Sequence, residues 1–178
     1  MQRPSQYNKI IQETDDVYAS FTLVGDKWIR GLFCKTEVPA FKIIGFYDGK
    51  SLTQIEADVS TSEYMMTARQ NRDRRKKIVI DGNPDIYNNI CGFANYAVNS
   101  IANATFEDTK HESRETSVIM KTKEFIPAGC EIRVDYDLGQ RSTPFLDSLV
   151  SKGLSRAHFT SPAYKQHIWT YPDFNGPS

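Results

Sequence analysis

The chain has 178 residues, of which 39% are hydrophobic and 25% are charged, a composition typical of a folded globular protein rather than a disordered one. No apolar run approaches the roughly 20 residues of a membrane-spanning helix, so a membrane protein of that kind is excluded. Lys and Arg together number 22, as do Asp and Glu, and this neutral balance argues against a general nucleic-acid-binding protein.

Short extended segments dominate the first 140 residues. Runs rich in β-branched and aromatic residues predict four strands: Val17–Val24, Phe41–Tyr47, Lys77–Ile80 and Ser117–Met120. The two segments KTEVPAFKIIGFYDG and KTKEFIPAGCEIRVDY share a layout in which a Pro-containing reverse turn precedes a strand. We interpret each as a turn that leads into a buried strand, not as a repeat of domain size.

Two segments have helical patterns. Ser60–Asn71 has helix-compatible content, with Tyr64, Met65 and Ala68 near one face. From Ser142 onward, apolar residues recur at helical spacing before the chain turns irregular and aromatic after Gly153. We therefore expect a mainly β fold with short helices (α+β), built of several small sheets with a C-terminal helical and aromatic appendage. Residues 1–24 are an N-terminal extension, residues 25–140 the domain, and residues 141–178 the C-terminal segment.

The charge is distributed unevenly along the chain. Residues 69–77 (RQNRDRRKK) hold six bases and one acid, whereas residues 81–140 hold ten acids and five bases. The basic run is interpreted first as a solvated loop or helix end, and second as a nucleic-acid contact or a localisation signal. Direct binding of nucleic acid is therefore not expected.

The cysteines and histidines show no metal-ligand spacing, so no metal site is expected. Cys34, Cys91 and Cys130 lie far apart in the sequence, which excludes a C-x-x-C zinc site and makes a disulfide framework improbable. The N-terminal residues also lack the apolar segment of a signal peptide, so we expect a reducing compartment, either nucleus or cytoplasm. Cys34 and Cys91 are interpreted as small core residues, and His111, His158 and His167 as surface residues.

Three stretches differ from ordinary strand or loop sequence. The first motif comprises residues 29–33 (IRGLF) with residues 46–49 (FYDG). The second motif comprises residues 88–98 (NNICGFANYAV) and reaches Asn103 after a two-residue insertion, and the third comprises residues 126–136 (IPAGCEIRVDY). Their order and intervals resemble the SET domain of protein lysine methyltransferases, over about residues 25–140. The resemblance implies the SET fold, S-adenosyl-L-methionine as cofactor and a basic protein substrate, with a histone tail as the leading candidate.

The resemblance also implies roles for individual residues. It assigns Tyr136 and Tyr47 as the catalytic residues, with Tyr136 at the methyl-transfer site. Both also line the lysine channel, with Val134 as the channel position whose small side chain leaves room for more than one methyl group. Residues that would contact the cofactor are Trp28, Ile29, Arg30, Gly31, Asn95, Tyr96 and Trp169. Because a lysine amine has a pKa of ~10.4, it must lose a proton, and desolvation beside a sulfonium lowers that pKa without a strong base.

Several positions depart from the family pattern. Ile29 occupies the first glycine of the first motif, Gly92 replaces an arginine, and Tyr96 replaces a histidine. The zinc-binding cysteines that flank many SET domains are absent, so the channel must be completed by the C-terminal segment. Candidates for that role are Phe145, Tyr164, Trp169 and Tyr171.

The residues leave alternatives open. Tyr136 is otherwise a core tyrosine whose hydroxyl bonds to the backbone, and Tyr47 and Trp169 are otherwise packing residues. The departures at Ile29, Gly92 and Tyr96 suggest, as a second function, a SET-fold binding module that has lost catalysis. The oligomeric state and the number of methyl groups transferred do not follow from the sequence.

Overall fold

The computed structural model describes residues 4–137 and 144–160. Within them, eleven β-strands and three α-helices follow one another as β1 (Gln12–Glu13), β2 (Val17–Val24), β3 (Lys27–Cys34), β4 (Ile43–Phe46), β5 (Lys50–Leu52), α1 (Gln54–Val59), β6 (Met65–Arg69), β7 (Lys77–Asp81), β8 (Asn95–Tyr96), β9 (Ala104–Asp108), β10 (Val118–Thr122), β11 (Glu131–Val134), α2 (Pro144–Ser151) and α3 (Arg156–Thr160). Short 3-10 turns lie at Ser5–Tyr7 and Ile90–Phe93.

The chain divides into two compact units, each assembled from separate stretches of sequence. The first unit comprises Met1–Lys42, Ala94–Thr105 and Thr122–Ser178, and the second comprises Ile43–Phe93 and Phe106–Lys121. The expected division into an N-terminal extension, a domain and a C-terminal segment stays a prediction.

The first unit is built around a long antiparallel hairpin and the buried strand β11. Strands β2 and β3 pair along their whole length, and Gly25 makes their connection with a φ of +65°, which favours glycine. Strand β11 lies antiparallel to β3 on one side and parallel to β8 on the other. All four residues of β11 are buried, which places this strand at the centre of the unit.

An apolar cluster in the first unit joins the hairpin to the C-terminal helices. Its buried members are Val24, Tyr96, Leu146 and Phe159. Helix α2 confirms the helix expected after Ser142, because its apolar residues at helical spacing face this cluster. The aromatic residues predicted to complete the channel beyond it (Tyr164, Trp169 and Tyr171) lie outside the described residues.

The second unit contains the three-stranded antiparallel sheet β5-β7-β6 and the antiparallel pair β4–β10. Helix α1 starts at a capping box in which the Thr53 hydroxyl accepts from the Glu56 backbone and Glu56 accepts from the Thr53 backbone. Tyr47, Ala68 and Ile80 are buried in this unit.

The mainly β fold with short helices is confirmed, as are the four predicted strands. The helix expected over Ser60–Asn71 is wrong, because Met65–Arg69 forms β6 and pairs along its length with β7. Its inward residues, Met66 and Ala68, alternate with period two, so backbone pairing overrides the weak helical pattern. Strand β4 was expected to be buried, but it pairs only with β10 and has no buried residue.

The described helices are all short, and none has the length and apolar character needed to cross a membrane.

Candidate active site

Parts of the three motifs meet on β11 in the first unit, whereas residues 46–49 of the first motif and residues 88–93 of the second belong to the second unit. Leu32 of the first motif is paired with Ile132 of β11. Asn95 of the second motif is paired with Arg133 on the other side of the same strand. Three stretches that are distant in the sequence are therefore neighbouring strands, as a shared site requires.

Asn95 is oriented by two acceptors. Its Nδ2 donates to the backbone oxygen of Arg30 at 2.8 Å and to Oε1 of Glu131 at 2.7 Å. Because both acceptors face the amide nitrogen, the orientation of the amide group is determined. No donor among the described residues reaches Oδ1, so this oxygen is available as an acceptor for a ligand.

Gly31 allows Glu131 and Asn95 to lie close to the backbone of β3. A Cβ at this position would lie 2.9 Å from Oε1 of Glu131 and 3.2 Å from Nδ2 of Asn95. A side chain at this position of β3 would therefore push against Glu131 and Asn95, so only glycine fits without displacing one of them.

Gly31→Ala is expected to lower the free energy of unfolding by about 1–3 kcal/mol, because the new methyl group displaces Glu131 or Asn95. Urea denaturation followed by circular dichroism measures the change. The matched control is Gly45→Ala, whose Cβ would lie at an ordinary 3.4 Å from Sγ of Cys91 and should cost less. Equal losses in the two variants would contradict the close contact.

A buried ion pair lies next to Asn95. Arg133 donates to Oε2 of Glu131 from NH2 at 2.7 Å and from Nε at 3.0 Å, and the two side chains are 0% and 3% exposed. Arg133 also donates from NH1 to the His158 backbone oxygen at 2.7 Å and contacts the His158 ring. The surface position expected for His158 is wrong, because its side chain is only 10% exposed.

Asn103, the last residue of the second motif, is also bound to β11. Its Nδ2 donates to the Glu131 backbone oxygen at 2.9 Å, and its Oδ1 accepts from the Arg133 backbone nitrogen at 2.8 Å. The side chain thus satisfies two buried backbone groups in the way a neighbouring strand does. The second and third motifs are therefore held together through Asn95 and Asn103.

Tyr136 follows β11 and is partly buried. Its hydroxyl donates to the Ala94 backbone oxygen at 2.6 Å, and its ring packs against Phe145 with centroids 4.8 Å apart. This bond is the one expected of a core tyrosine, yet it also turns the oxygen lone pairs away from Ala94. The role of Tyr136 in methyl transfer stays a prediction.

Ile29 and Tyr96, which both depart from the family pattern, pack into the apolar cluster. Tyr96 is 1% exposed with its ring 5.6 Å from that of Phe145, and Ile29 packs against the same cluster. Burial raises the pKa of Tyr96, and the nearby Asp137 carboxylate adds to the rise. The two groups do not meet in hydrogen-bond geometry, so the Tyr96 hydroxyl and Oδ2 of Asp137 are buried without partners among the described residues.

The remaining predicted residues of the first unit occupy the neighbouring strands. Trp28 stacks on Tyr7 with ring centroids 5.0 Å apart. Val134 is fully buried in β11, and Arg30 contributes its backbone oxygen to Asn95. Trp169 lies outside the described residues.

Tyr47 belongs to the second unit and is 5% exposed. Its hydroxyl donates to the Tyr64 backbone oxygen at 2.7 Å, and its ring meets Phe106 edge-on. Burial raises the pKa of Tyr47, with Asp81 adding to the rise. Within its own unit this tyrosine is a packed core residue, and its assignment to a lysine channel stays a prediction.

Gly92 has a local explanation in the second unit. A Cβ there would lie 3.0 Å from both Nδ2 of Asn89 and the Gly82 backbone oxygen. An arginine at this position would require the segment around Gly82 to move. Nearby Cys91 is fully buried, and burial raises the pKa of its thiol to about 12, as it does for Cys34 in the first unit. Both are inert core residues.

A pocket of about 360 Å³ also lies in the second unit. Its lining residues are Gln70, Arg72, Glu112, Ser113, Arg114 and Glu115. None of the predicted site residues lines it. Among the described residues, no three His, Cys, Asp or Glu side chains are placed to hold a metal ion.

Sequence reasoning assigned no role in the site to Glu131, Arg133, Asn103 or His158. Glu131 and Arg133 are two positions apart in a strand and so share a face, and their opposite charges gave a usable signal for an ion pair. Asn103 was indicated only as the end of the second motif, and His158 had no signal, because their contacts depend on how distant segments pack.

Comparisons with known proteins identify the family and the fold of the chain. The SET domain family model matches residues 29–137, more than half of the chain. No curated protein matches the sequence. Among solved structures, the methyltransferase domain of human PR domain-containing protein 2 is 17% identical with a TM-score of 0.53, over 74% of this chain and 82% of that one. ATXR5 in complex with histone H3.1 mono-methylated on R26 is 17% identical with a TM-score of 0.49, over 61% of this chain and 52% of that one. At this identity the first structure shows a common fold, and the family match shows that the chain belongs to the SET-domain family.

Proposed function

We propose that the protein transfers a methyl group from S-adenosyl-L-methionine to a lysine of a basic protein, with a histone tail as the leading substrate. The observation that carries the proposal is the pairing of Leu32 from the first motif and Asn95 from the second motif with β11 of the third, in a member of the SET-domain family. The protein would act as a protein-lysine N-methyltransferase and, with a histone substrate, as a nuclear chromatin regulator.

The residues around Asn95 fit the amino-acid end of the cofactor. Oδ1 of Asn95 is an acceptor suited to an ammonium group, and Gly31 leaves no side chain beside it. The backbone of Trp28–Gly31 and that of Tyr96 would line the same site, and Trp169 is the proposed contact of the adenine. When bound, S-adenosyl-L-methionine supplies an electrophilic methyl group on a sulfonium.

Tyr136 and the proposed channel residues would orient the lysine amine. The Tyr136 hydroxyl donates a hydrogen bond to the Ala94 oxygen, and its own oxygen is proposed to accept a hydrogen bond from the amine. Val134 and Tyr47 are proposed to line the channel, where desolvation lowers the pKa of the amine and favours the neutral, reactive form. Alignment of the amine is the main contribution that these residues make.

The excess of acidic residues in 81–140 supports the proposal of a basic substrate less strongly than the composition alone suggests. Three of its carboxylates are neutralised within their own units by ion pairs: Glu107 with Lys121, Asp108 with Arg74, and Glu131 with Arg133. Two others, Glu112 and Glu115 of the second unit, are exposed and supply negative charge. A basic peptide would gain from these two.

A SET-fold binding module without catalysis is the second candidate. It is favoured by one observation, the packing of Ile29 and Tyr96 into the apolar cluster. If these side chains fill space that a cofactor needs, the protein would not bind it.

Titration calorimetry with S-adenosyl-L-methionine and transfer of a radiolabelled methyl group to core histones test the proposal together. We expect cofactor binding that Asn95→Ala weakens, and label on histone lysines. Binding of the cofactor without transfer to histones would contradict the histone substrate, because the binding module is not expected to bind the cofactor. Absence of cofactor binding to a folded protein would contradict the enzyme.

A further inference from the structure

The connection between β6 and β7 carries an exposed group of cations. We call Arg69–Lys77, which spans this connection in the second unit, the basic hairpin. Arg69, Arg72, Arg75, Lys76 and Lys77 are all exposed, and Arg75 is 93% exposed. Six bases in nine residues therefore give a dense positive surface in a chain whose net charge is zero.

The fold neutralises only two of these six cations. Arg74 pairs with Asp108 at 2.9 Å and donates to the Thr109 backbone oxygen at 2.9 Å. Arg75 pairs with Asp73, its neighbour on the hairpin, at 3.2 Å. The side chains of the other four, Arg69, Arg72, Lys76 and Lys77, form no ion pair among the described residues. Acidic residues are nevertheless close to two of them, because the Arg69 backbone nitrogen donates to Asp108 and Arg72 shares a pocket lining with Glu112 and Glu115.

Four lysines elsewhere in the described residues are paired with acids, whereas Lys110 and Lys123 form no ion pair there. Lys35 pairs with Glu13, Lys42 with Asp16, Lys50 with Glu56 and Lys121 with Glu107, all within 3.0 Å. The neutral total hides a local surplus of positive charge, because residues 69–77 hold six bases and one acid while residues 81–140 hold ten acids and five bases. The objection from net charge applies to the chain as a whole and not to this surface.

The surplus of positive charge destabilises the pairing of β6 with β7. Arg69 and Lys77 are directly opposite each other in the β6–β7 register. Like charges at opposite positions of an antiparallel pair repel and destabilise it. An anion bound between them would remove that repulsion, so the arrangement favours a ligand that carries several negative charges.

The composition of the basic hairpin distinguishes between polyanions. It contains no apolar residue to enter a membrane and no aromatic residue on which unpaired bases could stack. Arg69 and Lys77 face each other across the strand pair and the other four cations follow in the connection, so the charges form one compact group that suits the closely spaced phosphates of a duplex. We propose that the basic hairpin binds the phosphate backbone of duplex DNA, without reading its sequence. This surface is independent of the proposed methyl transfer.

The proposal predicts a defined dependence on salt. If the four unpaired cations each neutralise one phosphate, the logarithm of the affinity should fall against the logarithm of the salt concentration with a slope of about −3.6. Binding of a fluorescent 20-base-pair duplex of random sequence should then weaken by about 150-fold between 50 and 200 mM salt. Fluorescence anisotropy with the full chain measures both quantities.

Two triple variants with the same net charge separate the basic hairpin from general attraction. Arg72→Gln/Lys76→Gln/Lys77→Gln removes three unpaired cations, and the slope should fall to about −0.9. Lys35→Gln/Lys42→Gln/Lys50→Gln removes three paired cations, and binding should stay within about twofold of the original. Circular dichroism confirms that both variants are folded.

Three results would overturn the proposal. The first is the absence of duplex binding at 50 mM salt. The second is equal weakening in the two triple variants, which would indicate general attraction. The third is tighter binding to single-stranded DNA of the same length, or to vesicles containing phosphatidylserine, than to the duplex, which would assign the surface to another ligand.

Discussion

Replacing Glu131 by alanine is expected to lower the free energy of unfolding by about 3–5 kcal/mol, because it leaves the Arg133 guanidinium buried without its counter-ion. Arg133 is 0% exposed in the folded protein, so water cannot compensate the charge. The same change removes one of the two acceptors that hold the Asn95 amide. Urea denaturation followed by circular dichroism measures the loss as a lower midpoint at an unchanged slope.

The control for Glu131→Ala is Glu13→Ala, which breaks an exposed pair with Lys35. That loss should be at most about 1 kcal/mol, since solvent screens exposed pairs. The double variant Glu131→Leu/Arg133→Met removes both charges and should recover part of the stability lost in Glu131→Ala. If Glu131→Ala cost no more than Glu13→Ala, the ion pair would not be buried in solution.

Tyr136→Phe is expected to lower kcat for methyl transfer by about 100-fold or more, because a group that contacts the reacting amine is lost. This expectation depends on the proposed function. The structural cost should be small, about 1 kcal/mol, since the variant loses only the hydrogen bond to Ala94. Steady-state kinetics with a histone peptide and calorimetry with the cofactor should show a lower kcat with little change in cofactor affinity.

Tyr87→Phe serves as the matched variant for Tyr136→Phe, since it removes one hydroxyl from the second unit at a residue with no proposed role. It should retain full activity. If Tyr136→Phe kept kcat within about threefold of the original while both proteins bound the cofactor, Tyr136 would be a structural tyrosine only.

The fold class was predictable because β-branched and aromatic runs dominate the sequence. Val17–Val24 combines both and forms β2 with the bounds expected from its composition. The strand at Met65–Arg69 was not predictable, because its short apolar pattern fits a helix nearly as well as a strand. Only its pairing with β7 decides between the two. The pairings themselves join distant segments, and no local pattern encodes them.

The candidate site was predictable only as far as the motif pattern reaches. The pattern pointed to Asn95, but the two acceptors that orient its amide come from Arg30 and Glu131 in other segments. His158 lies against Arg133 because α3 packs there, and the local sequence of α3 carries no sign of that contact. Tertiary packing, rather than residue type, therefore determines the polar surroundings of the site.

The central position of β11 has a consequence for how the protein folds. Leu32 and Ile132 are paired although one hundred residues separate them along the chain. Such a contact closes a long loop, and the loss of chain entropy must be met before the pairing contributes stability. A growing chain that ends before β11 has the first and second motifs but no strand to join them. The site therefore has no partly assembled precursor, and it forms only when nearly the whole domain has folded.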